Sequence, residues 1–149
     1  MQRALLAIVL VLGCGKGKEK AEPIMISDAV EAGRKDIAEV VEALAAKNTN
    51  RASAICSVAK PGLPTLKKAD SGLADQLTKL CTRDQPMLEM QLAIEKIEAN
   101  KKPDVTGLHI ECASRKTYEK WIDKGGYQAD PDVVALEARW DAACPAKKP

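Results

Sequence analysis

Few side chains in this 149-residue chain are able to do chemistry, and most of them are thiols. The sequence contains five cysteines and a single histidine, His109. Catalytic and metal sites normally need clustered histidine, cysteine or carboxylate groups. The sequence has no Glu-x-x-His pair, no His-Glu-x-x-His motif and no Gly-x-Ser-x-Gly turn. We therefore expect no enzyme activity, no bound metal and no cofactor.

Two pairs of carboxylates could in principle work together as general acid and base. Glu39 precedes Glu42 by three residues, and Glu95 precedes Glu98 by the same interval. On a helix this spacing places both groups of a pair on one face. Exposed amphipathic helices routinely contain such pairs, so we expect surface residues and not catalytic ones.

The aromatic residues are concentrated near the end of the chain. The sequence has no Phe, two Trp and two Tyr, and these four are Tyr118, Trp121, Tyr127 and Trp140. An exposed aromatic patch of this kind could bind a glycan or a protein partner. Packing between the last two helices explains the same concentration and is the favoured alternative.

The beginning of the chain has the three-part layout of an export signal. A positive charge at Arg3 is followed by an unbroken apolar run over residues 4–12, and Gly13 then precedes Cys14. Spanning a bilayer takes about twenty apolar residues, and this run has about half that number. The pattern predicts a cleaved signal and not a permanent membrane span.

The segment Val11-Leu12-Gly13-Cys14 resembles the lipobox of bacterial lipoproteins. The resemblance covers residues 1–14. It implies a signal peptide over 1–13 that is removed, and a lipid on the thiol of Cys14 that attaches an exported protein of the cell envelope to a membrane. Because Gly15 stands where Asp would resemble an inner-membrane retention signal, outer-membrane attachment is favoured if the cell has two membranes, with the protein in the periplasm.

The residues after the lipid site predict a charged, flexible linker over 14–25. Its lysines at 16, 18 and 20 could attract anionic head groups, but a solvated spacer is favoured. Removing Arg3 with the signal lowers the basic count from 23 to 22, against 21 acidic residues. Nucleic acid is not an expected partner, because binding it needs a concentrated basic field.

With Cys14 committed to lipid, an even number of thiols is left. They are Cys56, Cys81, Cys112 and Cys144. In an exported chain four cysteines predict two disulfides. The alternative is a metal site made from all four thiolates, but the sequence contains no Cys-x-x-Cys pair to build it.

The disulfide pairing can be argued from helix geometry. If the last two helices form a hairpin turning near Tyr127, Cys112 lies 15 residues before the turn and Cys144 lies 17 after it. At about 1.5 Å per residue the two positions fall within roughly 3 Å of each other along the axis. This leaves Cys56 with Cys81, a pair that can form only if the intervening chain breaks near Gly72.

Apolar residues recur at intervals of three and four over residues 26–145, which predicts an all-α domain. We expect a small bundle of five to six helices stabilised by two disulfides, followed by a basic tail over 146–149. Ser27 or Asp28 is predicted to cap the first helix, and Asp130 with Pro131 to begin the last. The predicted helices lie within 26–44, 52–59, 66–81, 87–99, 110–122 and 133–144.

The first function expected is therefore a non-enzymatic, membrane-tethered domain that binds another envelope protein or a cell-wall component. The alternative is a small-ligand carrier or sensor, which needs a cavity between helices lined by Met87, Met90 and the tryptophans. An enzyme would need carboxylates that converge on His109. An accessible cavity of several hundred Å³ would favour the carrier, whereas a packed centre with a surface patch would favour the binding domain.

Overall fold

The computed structural model describes residues 21–99 and 110–144. Within these ranges the chain forms seven α-helices and no strand, so the all-α prediction is confirmed. Cys14 and His109 lie outside the described residues, as does the predicted signal peptide. The helices are α1 (Ala21–Ala45), α2 (Thr49–Ala59), α3 (Leu63–Ala69), α4 (Ser71–Lys79), α5 (Gln85–Ala99), α6 (Arg115–Gly125) and α7 (Pro131–Ala143).

Helix α1 begins earlier than the sequence pattern predicts. Ser27 and Asp28 lie inside it, so the prediction that one of them caps its first turn is wrong. Residues 21–25, predicted as the end of the linker, are helical. Pro23 is compatible with this start because amides of the first helical turn have no acceptor within the helix, and proline has no amide to leave unpaired.

The buried face of α1 packs against α2, α3 and α4. Ile37, Val40 and Ala43 are buried on this face, whereas the neighbouring Val41 is exposed. Gly33 allows a close approach of α1 to α3, since a Cβ there would lie 2.6 Å from Cδ2 of Leu66. The missing side chain therefore lets the two helices pack directly on each other.

The predicted third helix is divided into α3 and α4 at Asp70. This residue has an extended backbone with φ −153° and ψ 99°, and its carboxylate accepts from the amide of Leu73 at 3.0 Å. The break lies two residues before Gly72, where we predicted it, because an aspartate can cap the new helix whereas glycine has no side chain to do so. Six predicted helices thus become seven.

The chain remains helical between α4 and α5. A π-helical turn over Leu80–Asp84 joins the two helices, and the amide of Gln85 donates to the carbonyl of Leu80. Pro86 lies in the first turn of α5. The two helices and this turn form one continuous run that links the two halves of the molecule.

The two halves have separate cores, and a disulfide adjoins each. The predicted pairs Cys56–Cys81 and Cys112–Cys144 are both confirmed, with Cα–Cα distances of 5.5 and 5.9 Å. The first core lies among α1 to α4, with Cys56 and Cys81 packed against it. The second contains residues of α5 and α7, with Cys112 and Cys144 beside it.

None of the helices in the described ranges is both long enough and apolar enough to cross a bilayer.

Candidate functional site

The four aromatic residues do not form one patch but two pairs. Tyr118 and Trp140 have ring centroids 5.4 Å apart, and Trp140 is only 1% exposed, inside the second core. Trp121 and Tyr127 have centroids 5.3 Å apart and are half-buried. In the first pair Trp140 belongs to the second core and the half-buried Tyr118 packs against that core, whereas neither ring of the second pair belongs to a core.

Trp121 and Tyr127 line an open cleft where the π-turn meets the end of α6. Its volume is about 430 Å³, which lies within the range of small-ligand sites, roughly 300–1,000 Å³. We call it the aromatic cleft. It is lined by Cys81, Thr82, Pro86, Trp121, Lys124, Gly125 and Tyr127.

The position of Trp121 depends on Pro86. In an α-helix the amide of residue 86 would donate to the carbonyl of Thr82, but proline has no amide. Nε1 of Trp121 donates to that carbonyl at 2.6 Å. The proline is thus a sequence signal for an unpaired carbonyl at Thr82, but the sequence does not indicate that Trp121 is the donor.

Tyr127 is fixed by a hydrogen bond at its edge and by close contact at its ring. The hydroxyl of Thr82 donates to the carbonyl of Thr78 at 2.8 Å, so the Tyr127 hydroxyl is the donor in its 3.2 Å contact with Thr82 Oγ1. A Cβ on Gly125 would lie 2.8 Å from Cζ of Tyr127 and nearer to two other ring atoms. Gly125 therefore leaves the space that the ring occupies.

An arginine fixes the loop that carries Tyr127. Nε and Nη2 of Arg83 donate to the two carboxylate oxygens of Asp130 at 2.7 and 3.0 Å. The same guanidinium donates to Asp132 at 2.8 Å and to Asp84 at 2.7 Å. Asp130 also caps α7, as predicted, by accepting from the amide of Asp132. Arg83 thereby joins the π-turn to the start of α7, three residues after Tyr127.

These contacts shift the ionisation of both partners. The hydrogen bonds from Arg83 lower the pKa of Asp130, and those to Asp130, Asp84 and Asp132 raise the pKa of Arg83. Because the folded-state pKa of Asp130 is below its unfolded value, this interaction stabilises the fold at neutral pH. This contribution is fully present above the unfolded pKa of about 4 and is lost progressively as the pH falls from there through the lower folded-state pKa.

We expect Arg83→Gln to lower the melting temperature by roughly 5 °C at pH 7, because it leaves three neighbouring carboxylates without their shared cation. Thermal unfolding followed by circular dichroism should show a smaller difference from wild type at pH 3. Arg51→Gln is the matched control, since Arg51 is exposed and pairs with an exposed Glu42. Equal melting temperatures for wild type and Arg83→Gln at pH 7 would contradict this account.

The carboxylate pairs singled out in the sequence are engaged in surface ion pairs. Hydrogen bonds from Gln91 and Lys47 lower the pKa of Glu95. Each of the four glutamates forms a salt bridge: Glu39 with Lys35 at 3.9 Å, Glu42 with Arg51 at 3.4 Å, Glu95 with Lys47 at 3.1 Å and Glu98 with Arg139 at 2.7 Å. Among the described residues, no three His, Cys, Asp or Glu side chains come together as a metal site.

The interior near Met90 and Trp140 is packed. The space that these residues border has a volume of about 10 Å³, enough for about one water molecule. The sequence hypothesis of a carrier needed a cavity of several hundred Å³ at this place. Clefts of that size among the described residues, including the aromatic cleft and a 360 Å³ groove between α1 and α3, are open to solvent.

Comparison with known proteins found no family model, no curated protein and no solved structure that matches this chain.

Proposed function

We propose that this chain is a lipid-anchored protein of the cell envelope, and that its helical domain is a non-enzymatic binding module. The lipobox resemblance at Val11–Cys14 supports the anchor. Two disulfides support an oxidising compartment outside the cytoplasm. The partner is another envelope protein or a component of the cell wall.

The observation that carries the binding role is the fixed pair of aromatic rings in the aromatic cleft. The polar edges of Trp121 and Tyr127 both donate within the protein, to the carbonyl and the hydroxyl of Thr82. Rings held in this way lose little conformational entropy when a partner binds. Aromatic side chains in such preformed surfaces are the commonest sites of large binding energy.

A carrier is the less favoured function because the interior beside Met90 and Trp140 is filled. A carrier would enclose most of its ligand. The aromatic cleft instead leaves one side open, as suits recognition of part of a larger molecule.

The proposal is tested by retention of the detergent-solubilised, full-length protein on a washed envelope fraction from its own cells. We expect Trp121→Ala and Tyr127→Ala to reduce the bound fraction at least about tenfold, as loss of a major binding residue does. Val134→Ala is the control, because Val134 is 47% exposed and lies on α7 outside the cleft. Equal retention of all three variants, with unchanged circular dichroism, would refute the cleft as the binding surface.

A further inference from the structure

We propose that the aromatic cleft binds an acidic sugar, a pyranose ring that carries a carboxylate. The apolar face of the sugar would lie on Trp121 and Tyr127, with the carboxylate at the ammonium of Lys124. This inference rests on the proposed binding function and names the class of its ligand. The same chemistry occurs in uronic acids of acidic polysaccharides and in muramic acid whose lactyl carboxylate is not linked to a peptide.

The rings of Trp121 and Tyr127 can contact a ligand through their faces, because their hydrogen-bonding groups are already used within the protein. Nε1 of Trp121 and the hydroxyl of Tyr127 are both used by Thr82, at 2.6 and 3.2 Å. What remains for a ligand is an apolar surface bounded by two rings inclined at 40°. The C–H face of a pyranose fits such a surface, because it combines an apolar face with a polar rim.

The charge at the cleft selects an anion. Of the residues that line it in the described structure, Lys124 is the one that carries a charge. None of the nearby acids lines the cleft. Asp84, Asp130 and Asp132 bond to Arg83, and Asp123 accepts from Gln128 at 3.1 Å. A ligand cation would meet the Lys124 ammonium, so a cation–π site is disfavoured.

A proline-rich peptide is the other ligand that stacks on aromatic grooves. Its backbone carbonyls would need donors from the groove, and the two ring donors are already committed to Thr82. A sugar in an open cleft of about 430 Å³ can leave its remaining hydroxyls in water. The cleft therefore favours the sugar, of a size up to a disaccharide.

The experiment titrates the detergent-solubilised, full-length protein with three sugars and one proline-rich peptide, using tryptophan fluorescence and calorimetry. The sugars are N-acetylmuramic acid, glucuronic acid and N-acetylglucosamine, of which the last lacks the carboxylate. The chain has two tryptophans, and Trp140 is buried, so a fluorescence change reports on Trp121. We expect at least one acidic sugar to bind about tenfold more tightly than N-acetylglucosamine.

Three variants locate the interaction. Lys124→Gln should abolish the preference for the acidic sugar, whereas Lys116→Gln, two turns earlier on α6, should retain it. Gly125→Ala should weaken binding of every sugar, because the added methyl group displaces the ring of Tyr127. Tighter binding of N-acetylmuramic acid would identify cell-wall fragments with a free lactyl carboxylate as the source, and tighter binding of glucuronic acid an acidic polysaccharide.

The inference is overturned if N-acetylglucosamine binds as tightly as both acidic sugars, if Lys124→Gln keeps the preference, or if the peptide binds in their place. It is also overturned if no sugar binds while envelope retention still depends on Tyr127; in that case the proposed binding function stands with a different ligand. Loss of both sugar binding and Tyr127-dependent retention would remove the inference and the proposed function together.

Discussion

Replacing Cys14 with serine is expected to move the protein from the membrane fraction to the soluble fraction and to abolish its labelling by radioactive fatty acid. A serine hydroxyl does not provide the thiol that the lipobox resemblance implies as the site of the diacylglyceryl group. Each buried methylene of an acyl chain contributes about 0.8 kcal/mol to membrane binding, so two chains hold a protein firmly. Without these chains nearly all of the protein should therefore be found in the soluble fraction.

The double variant Cys56→Ser/Cys81→Ser is the control for that experiment. These two residues form a disulfide with a Cα–Cα distance of 5.5 Å, and they are remote in sequence from the lipobox. This variant should still incorporate fatty acid and remain with membranes. Continued labelling of Cys14→Ser would show that the lipid is elsewhere and would remove the anchor from the account.

The second large effect is expected from Cys112→Ser/Cys144→Ser. The disulfide closes a sequence separation of 32 residues, which corresponds to about 3–4 kcal/mol of unfolding free energy in the chain-entropy model. The core beside it is small, with five buried residues: Met90, Ile94, Ile97, Leu136 and Trp140. Urea unfolding followed by circular dichroism should therefore show a much lower midpoint for the variant than for the wild type.

Peptide mapping without reductant provides the accompanying check on pairing. Wild-type protein should yield one peptide pair linked through Cys112 and Cys144, and another through Cys56 and Cys81. Wild-type stability in the serine variant would show that the disulfide does not support the second half. Free thiols at Cys112 and Cys144 in the native protein would contradict the pairing itself.

The helical fold and the disulfides could be predicted from sequence because each has a simple sequence pattern. Apolar residues at intervals of three and four indicate a buried helix face. An even number of cysteines, counted without Cys14, predicts disulfides if the chain is exported. The predicted start of α1 is too late, because Ser27 and Asp28 are good capping residues that here lie inside the helix. The predicted break near Gly72 is two residues too late, because the capping side chain of Asp70 decides its position.

The candidate site was less predictable. The four aromatic residues could be found in the sequence, but their division into a core pair and a cleft pair depends on how α5, α6 and α7 pack. Thr82 and Gly125 had no sequence signal of their own, since the first matters through its hydrogen bonds to Thr78 and Tyr127 and the second through a missing Cβ. These contacts depend on packing between elements distant in the chain.

The central claim is that the tethered protein binds its envelope partner through the aromatic cleft, and site-specific photo-crosslinking in living cells tests it most directly. A photoreactive residue in place of Lys120, an exposed position one turn before Lys124 on α6, reports on the edge of the cleft and leaves its lining residues unchanged. One in place of Val58, which is 79% exposed on α2, reports on a remote surface. We predict a crosslinked adduct at position 120 that is lost when Tyr127→Ala is added, and none at 58. Equal adducts at both positions, or an adduct at 120 that is indifferent to Tyr127→Ala, would contradict the claim.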